Sequence, residues 1–151
     1  MFFFTLVYNN SMLATEIIRK VPKVELHEHL DGGLRPETII ELAKERNIAL
    51  PETDPDKLAD WFHRGCKQKS LSLYLETFAV TTSVMQDKDS LFRVAKEEIE
   101  DLAKENVVYA EIRFAPELHT KNGLNLEEVV STVLKGLQAG RKECGVEFGL
   151  I

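Results

Sequence analysis

The spacing of apolar positions changes several times along the chain, and each change marks an element. LATEIIRK, from Leu13 to Lys20, suggests a short helix with Thr15 as N-cap, broken by Pro22. Lys23 to His27 reads as a short strand, with Val24 and Leu26 on one face and Glu25, His27 and His29 on the other. In RPETIIELAKERN, Pro36 suits the first helical position and Glu37 the first turn. Ile39, Ile40, Leu42 and Ala43 form an apolar stripe, so that helix should end near Asn47. Pro51 to Pro55 is a turn-rich break before a short helix around Asp56 to Arg64 that holds Trp61 and Phe62. Leu71, Tyr74, Leu75 and Phe78 line one face of a helix over Leu71 to Met85. The strongest helical pattern, Asp87 to Glu105, places Leu91, Val94, Ala95, Ile99 and Leu102 together.

VVYAEIRF, from Val107 to Phe114, switches to the two-residue period of a strand. Asn125 as N-cap, with Glu128 three residues on, predicts a capping box for a helix to Glu143 that Gly145 closes. VEFGLI then begins a third strand. Strands alternating with helices predict βαβ units and a parallel sheet. Buried parallel strands are usually apolar on both faces. Here Glu25, His27 and His29 on the first, and Glu111 and Arg113 on the second, give one ionisable face each. A (β/α)₈ barrel accommodates such a face because its inner wall serves a site at the carboxyl ends of the strands. The fold class is thus α/β, the N-terminal part of a TIM (β/α)₈ barrel comprising about three strands. A whole barrel takes about 250 residues, and Ile151 falls inside an apolar strand. The chain is therefore read as the first portion of a longer protein; a self-contained three-stranded domain is the alternative.

Composition narrows the function without deciding it. The chain of 151 residues is 44% hydrophobic and 29% charged, with 19 basic and 25 acidic residues and a net charge of −6. That balance offers no basic patch for nucleic acid and no basic amphipathic segment for a membrane surface. Cys66 and Cys144 are far apart and form no C-x-x-C pair, so a reducing cytoplasm is expected. Phe2 to Tyr8 is apolar but too short to span a bilayer, and it lacks the positive start of a secretory signal. Residues 1–12 are read as a disordered or non-native extension, with Met12 an alternative start, and residues 13–151 as the barrel portion.

The candidate chemistry lies in PKVELHEHLDGG, Pro22 to Gly33. Side chains at i and i+2 of a strand share a face, so His27 and His29 can reach one metal ion together. A hydrogen-bonded polar pair is the alternative. Glu25, Glu111 and Arg113 suggest an ion-paired brace beneath them. His63, in WFHRG, reads as a surface residue, whereas His119 follows the second strand on the site side and is a candidate substrate contact.

PKVELHEHLDG closely resembles the N-terminal signature of the adenosine deaminase family of metal-dependent amidohydrolases. The resemblance continues through RPETIIELAKERNIALP, SLYLETF and VVYAEIRFAPELHTKNGL, from about Pro22 to Ile151. It implies zinc-dependent hydrolytic deamination of adenosine, and of 2′-deoxyadenosine, to inosine and ammonia in purine salvage. His27 and His29 match two Zn2+ ligands, and Asp31 matches the carboxylate that holds the ribose 5′-hydroxyl, with His29 beside it on the substrate side. The Leu71, Tyr74, Leu75 and Phe78 face resembles the helix over the nucleoside pocket; core packing is its alternative. The family's third histidine, H-A-G-E glutamate and late D-D do not occur here. No catalytic acid is therefore expected within this chain, which should be inactive alone and able to self-associate through exposed strand edges. An adenine or AMP deaminase, or a non-catalytic purine-binding protein, remains as the alternative. Cytidine-type deaminases are excluded, because H-x-E and P-C-x-x-C are missing.

Overall fold

The computed structural model of the protein describes residues 15–67 and 69–151; the expectations for residues 1–12 lie outside them. In chain order the elements are α1 (Thr15–Lys20), β1 (Lys23–His29), α2 (Pro36–Arg46), α3 (Pro55–Lys67), α4 (Leu71–Val84) and α5 (Lys88–Lys104). β2 (Val107–Arg113), a 3₁₀ turn (Pro116–His119), α6 (Leu126–Cys144) and β3 (Glu147–Leu150) follow. The strands lie in the order β1-β2-β3, parallel throughout. The parallel sheet predicted from the alternation of strands and helices is therefore formed.

Local chemistry explains most boundaries. Asn125 accepts from the Glu128 N–H while the Glu128 carboxylate accepts from the Asn125 N–H, the predicted capping box. Asp87 and Ser90 make the equivalent reciprocal pair at the start of α5. Gly145, at φ 78°, ends α6 in the left-handed region. β1 runs two residues beyond the predicted His27, so both histidines belong to the strand.

The core forms where α5 and α6 cover one face of the sheet. Ala110 and Ile112 of β2 are fully buried beneath Leu91, Ala95, Ile99, Val129, Val133 and Leu137. The two helices approach at Gly136, where a Cβ would stand 2.4 Å from the Phe92 carbonyl oxygen and 2.8 Å from Ala95 Cβ. Only glycine permits that contact. α2 is clamped along α5 at both ends: Arg35 meets the Asp101 carboxylate with two bonds of 2.7 Å, and Arg46 meets Asp87 at 2.6 and 2.9 Å.

Of the two readings of the apolar stripe on α4, core packing does not hold. Leu71, Tyr74 and Leu75 are 71%, 42% and 56% exposed, so the apolar stripe is not core. The helix buries Thr77, Thr81 and Thr82 instead, whose hydroxyls bond back to the carbonyls of Tyr74 and Phe78 and so need no partner from another element.

Candidate functional site

A β-bulge in β1 sets the geometry at the carboxyl end of the sheet. Glu25 pairs with Ala110 and Glu28 with Ile112, so β1 advances three residues while β2 advances two. The two-residue alternation breaks at Leu26 and His27. Glu25 and Glu28 therefore share the helix-covered face with Ala110 and Ile112, while Val24, Leu26, His27 and His29 share the open one. This corrects the prediction that Glu25 lies with the histidines: one inserted residue reverses every side chain on one side of it. Glu25 folds back, its Oε1 accepting the His27 N–H at 3.1 Å. The predicted brace does not form: the bulge turns Glu25 away from Arg113, and no ion pair joins Glu111 to Arg113 among the described residues. Arg113 Nη2 lies 3.5 Å from the Leu26 carbonyl oxygen at the bulge.

On the open face the two imidazoles converge. His27 Nε2 and His29 Nε2 are 3.1 Å apart, with ring planes tilted by 39°. That spacing is within the span of two zinc–nitrogen bonds of about 2.0–2.1 Å each. His29 turns its other nitrogen toward Asp31, whose Oδ1 is 3.7 Å from Nδ1. A carboxylate behind an imidazole orients the ring so that the outward nitrogen keeps its lone pair. Asp31 itself is buried, and its Oδ1 has no hydrogen-bond partner among the described residues. Its backbone is fixed from both sides: fully buried Leu30 donates to the Arg113 carbonyl at 3.0 Å, and Gly32 donates to His29 at 2.9 Å. Phe78 of α4 stands edge-on to the His29 ring at 6.2 Å, and Tyr74 packs edge-on to Phe78 at 5.7 Å. The exposed stripe of α4 thus borders the histidines. Among the described residues no three His, Cys, Asp or Glu side chains gather as a metal site would require. The imidazole pair is half of such a site at most.

The model of the adenosine deaminase family matches residues 22–151. The chain belongs to the adenosine deaminase family. It is 56% identical over 126 residues to adenosine deaminase 1 of Streptomyces coelicolor, covering 83% of this chain and 32% of that protein. Among solved structures, the adenine deaminase of Arthrobacter aurescens superposes with a TM-score of 0.73 at 30% identity, over 85% of this chain and 38% of that one. A zinc-bound amidohydrolase from Burkhoderia ambifaria reaches a TM-score of 0.78 at 24% identity, over 94% and 39%, a likeness that carries the fold alone. The chain thus spans about a third of the length of the relatives it matches. Its fold is α/β, the N-terminal part of a (β/α)₈ barrel.

Within this family member the other two candidate histidines differ sharply. His63 is exposed on α3, as predicted for a surface residue. His119 has no exposed surface, so it is not an open wall of a pocket. Its Nδ1 lies 3.0 Å from the Met85 carbonyl oxygen, its ring 5.7 Å from Phe114, and burial holds its pKa below the usual histidine value.

Two residues that position this end of the sheet carried no readable signal. Gln86 donates to the carbonyls of Thr82 and Leu118 at 2.6 and 2.8 Å and accepts from the Lys121 N–H at 3.0 Å. It ties the end of α4 to the turn bearing His119. Arg35 closes the Asp31–Gly33 loop onto α5, its charge held by Asp101 first and Glu100 next. Apart from the Gln86–Thr82 bond within α4, these bonds join residues more than 30 positions apart, and no local pattern announces them. No helix among the described residues is long and apolar enough to cross a membrane.

Proposed function

We propose that this chain forms the opening part of a zinc-dependent adenosine deaminase acting on adenosine and 2′-deoxyadenosine in the cytoplasm. The observation that carries the reading is the pair of imidazole nitrogens 3.1 Å apart on the open face, backed by the Asp31 carboxylate, in a chain of this family. His27 and His29 would hold the metal through Nε2, the nitrogens that converge. Zinc supplies a bound water acidic enough to yield hydroxide near neutral pH. Asp31 keeps the His29 ring oriented and presents a buried acceptor to the nucleoside 5′-hydroxyl. A carboxylate at that point disfavours a 5′-phosphate by like-charge repulsion. Phe78 and Tyr74 give the nucleoside an aromatic flank.

The remaining ligands and the general acid are not among these residues, so the chain by itself is proposed to be inactive. Alone, it would also offer the outer edges of β1 and β3 for pairing with another chain. Sedimentation of the purified chain tests this, and a folded monomer at high concentration would speak against it.

The second reading, an adenine or other aminopurine deaminase, draws on the likeness to the Arthrobacter adenine deaminase. Metal analysis of the complete enzyme, with deamination rates on adenosine, 2′-deoxyadenosine, adenine and AMP, decides between them. Zinc near one per chain and fastest turnover of the free nucleosides are expected. Preference for adenine or AMP would overturn the substrate assignment.

A further inference from the structure

Among the described residues two buried polar atoms near the site, His119 Nε2 and Asp31 Oδ1, have no hydrogen-bond partner. Both side chains are almost wholly enclosed, His119 at 0% and Asp31 at 4% exposure. An acceptor or donor left bare in such a position is costly, and native structures seldom leave one unsatisfied.

The hydrogen placement on His119 follows from its other nitrogen. Nδ1 faces the Met85 carbonyl oxygen at 3.0 Å, and a carbonyl only accepts, so Nδ1 carries the hydrogen. Nε2 of the neutral ring is then an acceptor. Asp31 Oδ1 is an acceptor as well, and two acceptors cannot bond to each other. One water, with two O–H groups, can donate to both. The surroundings hold the ring in place: Phe114 lies against it, and Gln86 fastens the turn on either side through Leu118 and Lys121. Asp31 follows Leu30, which donates to the Arg113 carbonyl, and Phe114, next to Arg113, lies against the His119 ring, so both side chains sit at one corner of the sheet. Burial lowers the His119 pKa and so favours the neutral ring.

We infer that His119 is a positioning residue for Asp31, joined to it by one buried water that donates to His119 Nε2 and to Asp31 Oδ1. The bridge fixes the carboxylate so that its other oxygen is aimed at the sugar hydroxyl. Residue 119 is then a determinant of selectivity for a 5′-hydroxyl without touching the substrate. This rests on the reading of Asp31 as the 5′-hydroxyl contact.

The test uses the complete enzyme with adenosine and 5′-deoxyadenosine. His119→Asn keeps an N–H for the Met85 carbonyl and removes Nε2. Its KM for adenosine should rise about tenfold, the size of one lost charge-assisted bond, with a much smaller change in kcat. The loss on adenosine should exceed that on 5′-deoxyadenosine by a similar factor. Equal losses on both substrates would show a merely structural role and overturn the inference, as would no loss on adenosine. If wild-type enzyme treats the two substrates alike, Asp31 is not a 5′-hydroxyl contact, and that reading falls together with the inference. A selective wild type with an equally selective variant overturns the inference alone. A second arm needs no variant: a high-resolution crystal structure of the wild-type enzyme should show one ordered water within about 3.2 Å of both atoms. A direct contact, or no water there, would overturn the bridge.

Discussion

The two faces of the three-stranded sheet are built on opposite terms. The face under α5 and α6 is finished within the chain: Ala110 and Ile112 are sealed, and Gly136 lets the helices meet at backbone distance. The opposite face is open. Val24 and Leu26 are 56% and 58% exposed beside His27 and His29, and the apolar stripe of α4 borders them uncovered. One face carries stability and the other carries the proposed chemistry, and a single bulged residue in β1 sorts side chains between them. Mutations on the two faces should therefore separate function from folding.

The largest effect belongs to the open face. Replacing His27 and His29 together with alanine in the complete enzyme should remove bound zinc. It should also lower kcat/KM by more than the roughly 10–100-fold that losing an outer-shell partner costs. Both side chains are exposed in this chain, so the far-UV circular dichroism should hardly move, and any fall in the unfolding midpoint should match that of wild-type enzyme stripped of its zinc. A double variant that keeps a full equivalent of zinc would break the assignment, and one that fails to fold would break the separation of the faces.

The closed face should respond the other way. Gly136→Ala forces a methyl group to within 2.4 Å of the Phe92 carbonyl oxygen, an atom of helix backbone that cannot turn aside. Overpacking of this kind costs typically 1–3 kcal/mol, read as a lower urea midpoint, while zinc content per folded molecule should be retained. An unchanged midpoint would mean that α5 and α6 slide apart freely, contrary to a shared rigid core.

How much of this was legible depends on how local each cause is. Asn125 and Glu128 are three residues apart and form their capping box from neighbours alone, so the start of α6 could be read directly. The parallel sheet followed from alternation of periods, and the histidine pair from an i, i+2 spacing. Glu25 was misplaced because the bulge is visible only against its partner strand. The apolar stripe of α4 was equally readable as core or as pocket wall, since periodicity locates a stripe without saying what it faces. His119 looked like an open contact because its burial is imposed by Met85, Gln86 and Phe114 acting together. Arg35 was silent, as its partners sit more than sixty residues away.

The smallest predicted effect concerns a flaw in the closed face. Glu98 of α5 is buried, with its Oε2 where a Cβ on Gly33 would stand 2.6 Å away, and Glu28 Oε1 reaches the same point at 3.7 Å. Burial first, then Glu28 and Asp101, raise the Glu98 pKa well above the usual carboxylate value, and Arg35 opposes them only in part. Burial and the neighbouring Glu25 raise Glu28 in the same direction, against a backbone N–H bond from His29 that lowers it. The native state therefore holds a proton that the unfolded chain has already released. Stability from this group is complete below the ordinary carboxylate value and is lost as pH rises through the native one. Glu98→Gln keeps the shape without the charge. It should raise Tm at pH 7–8 by about 2–4 °C, with the advantage vanishing near pH 4, and leave zinc content and kcat unaltered. A glutamine variant less stable than wild type at neutral pH would show that the ionised carboxylate is welcomed there, and that the closed face holds no such conflict.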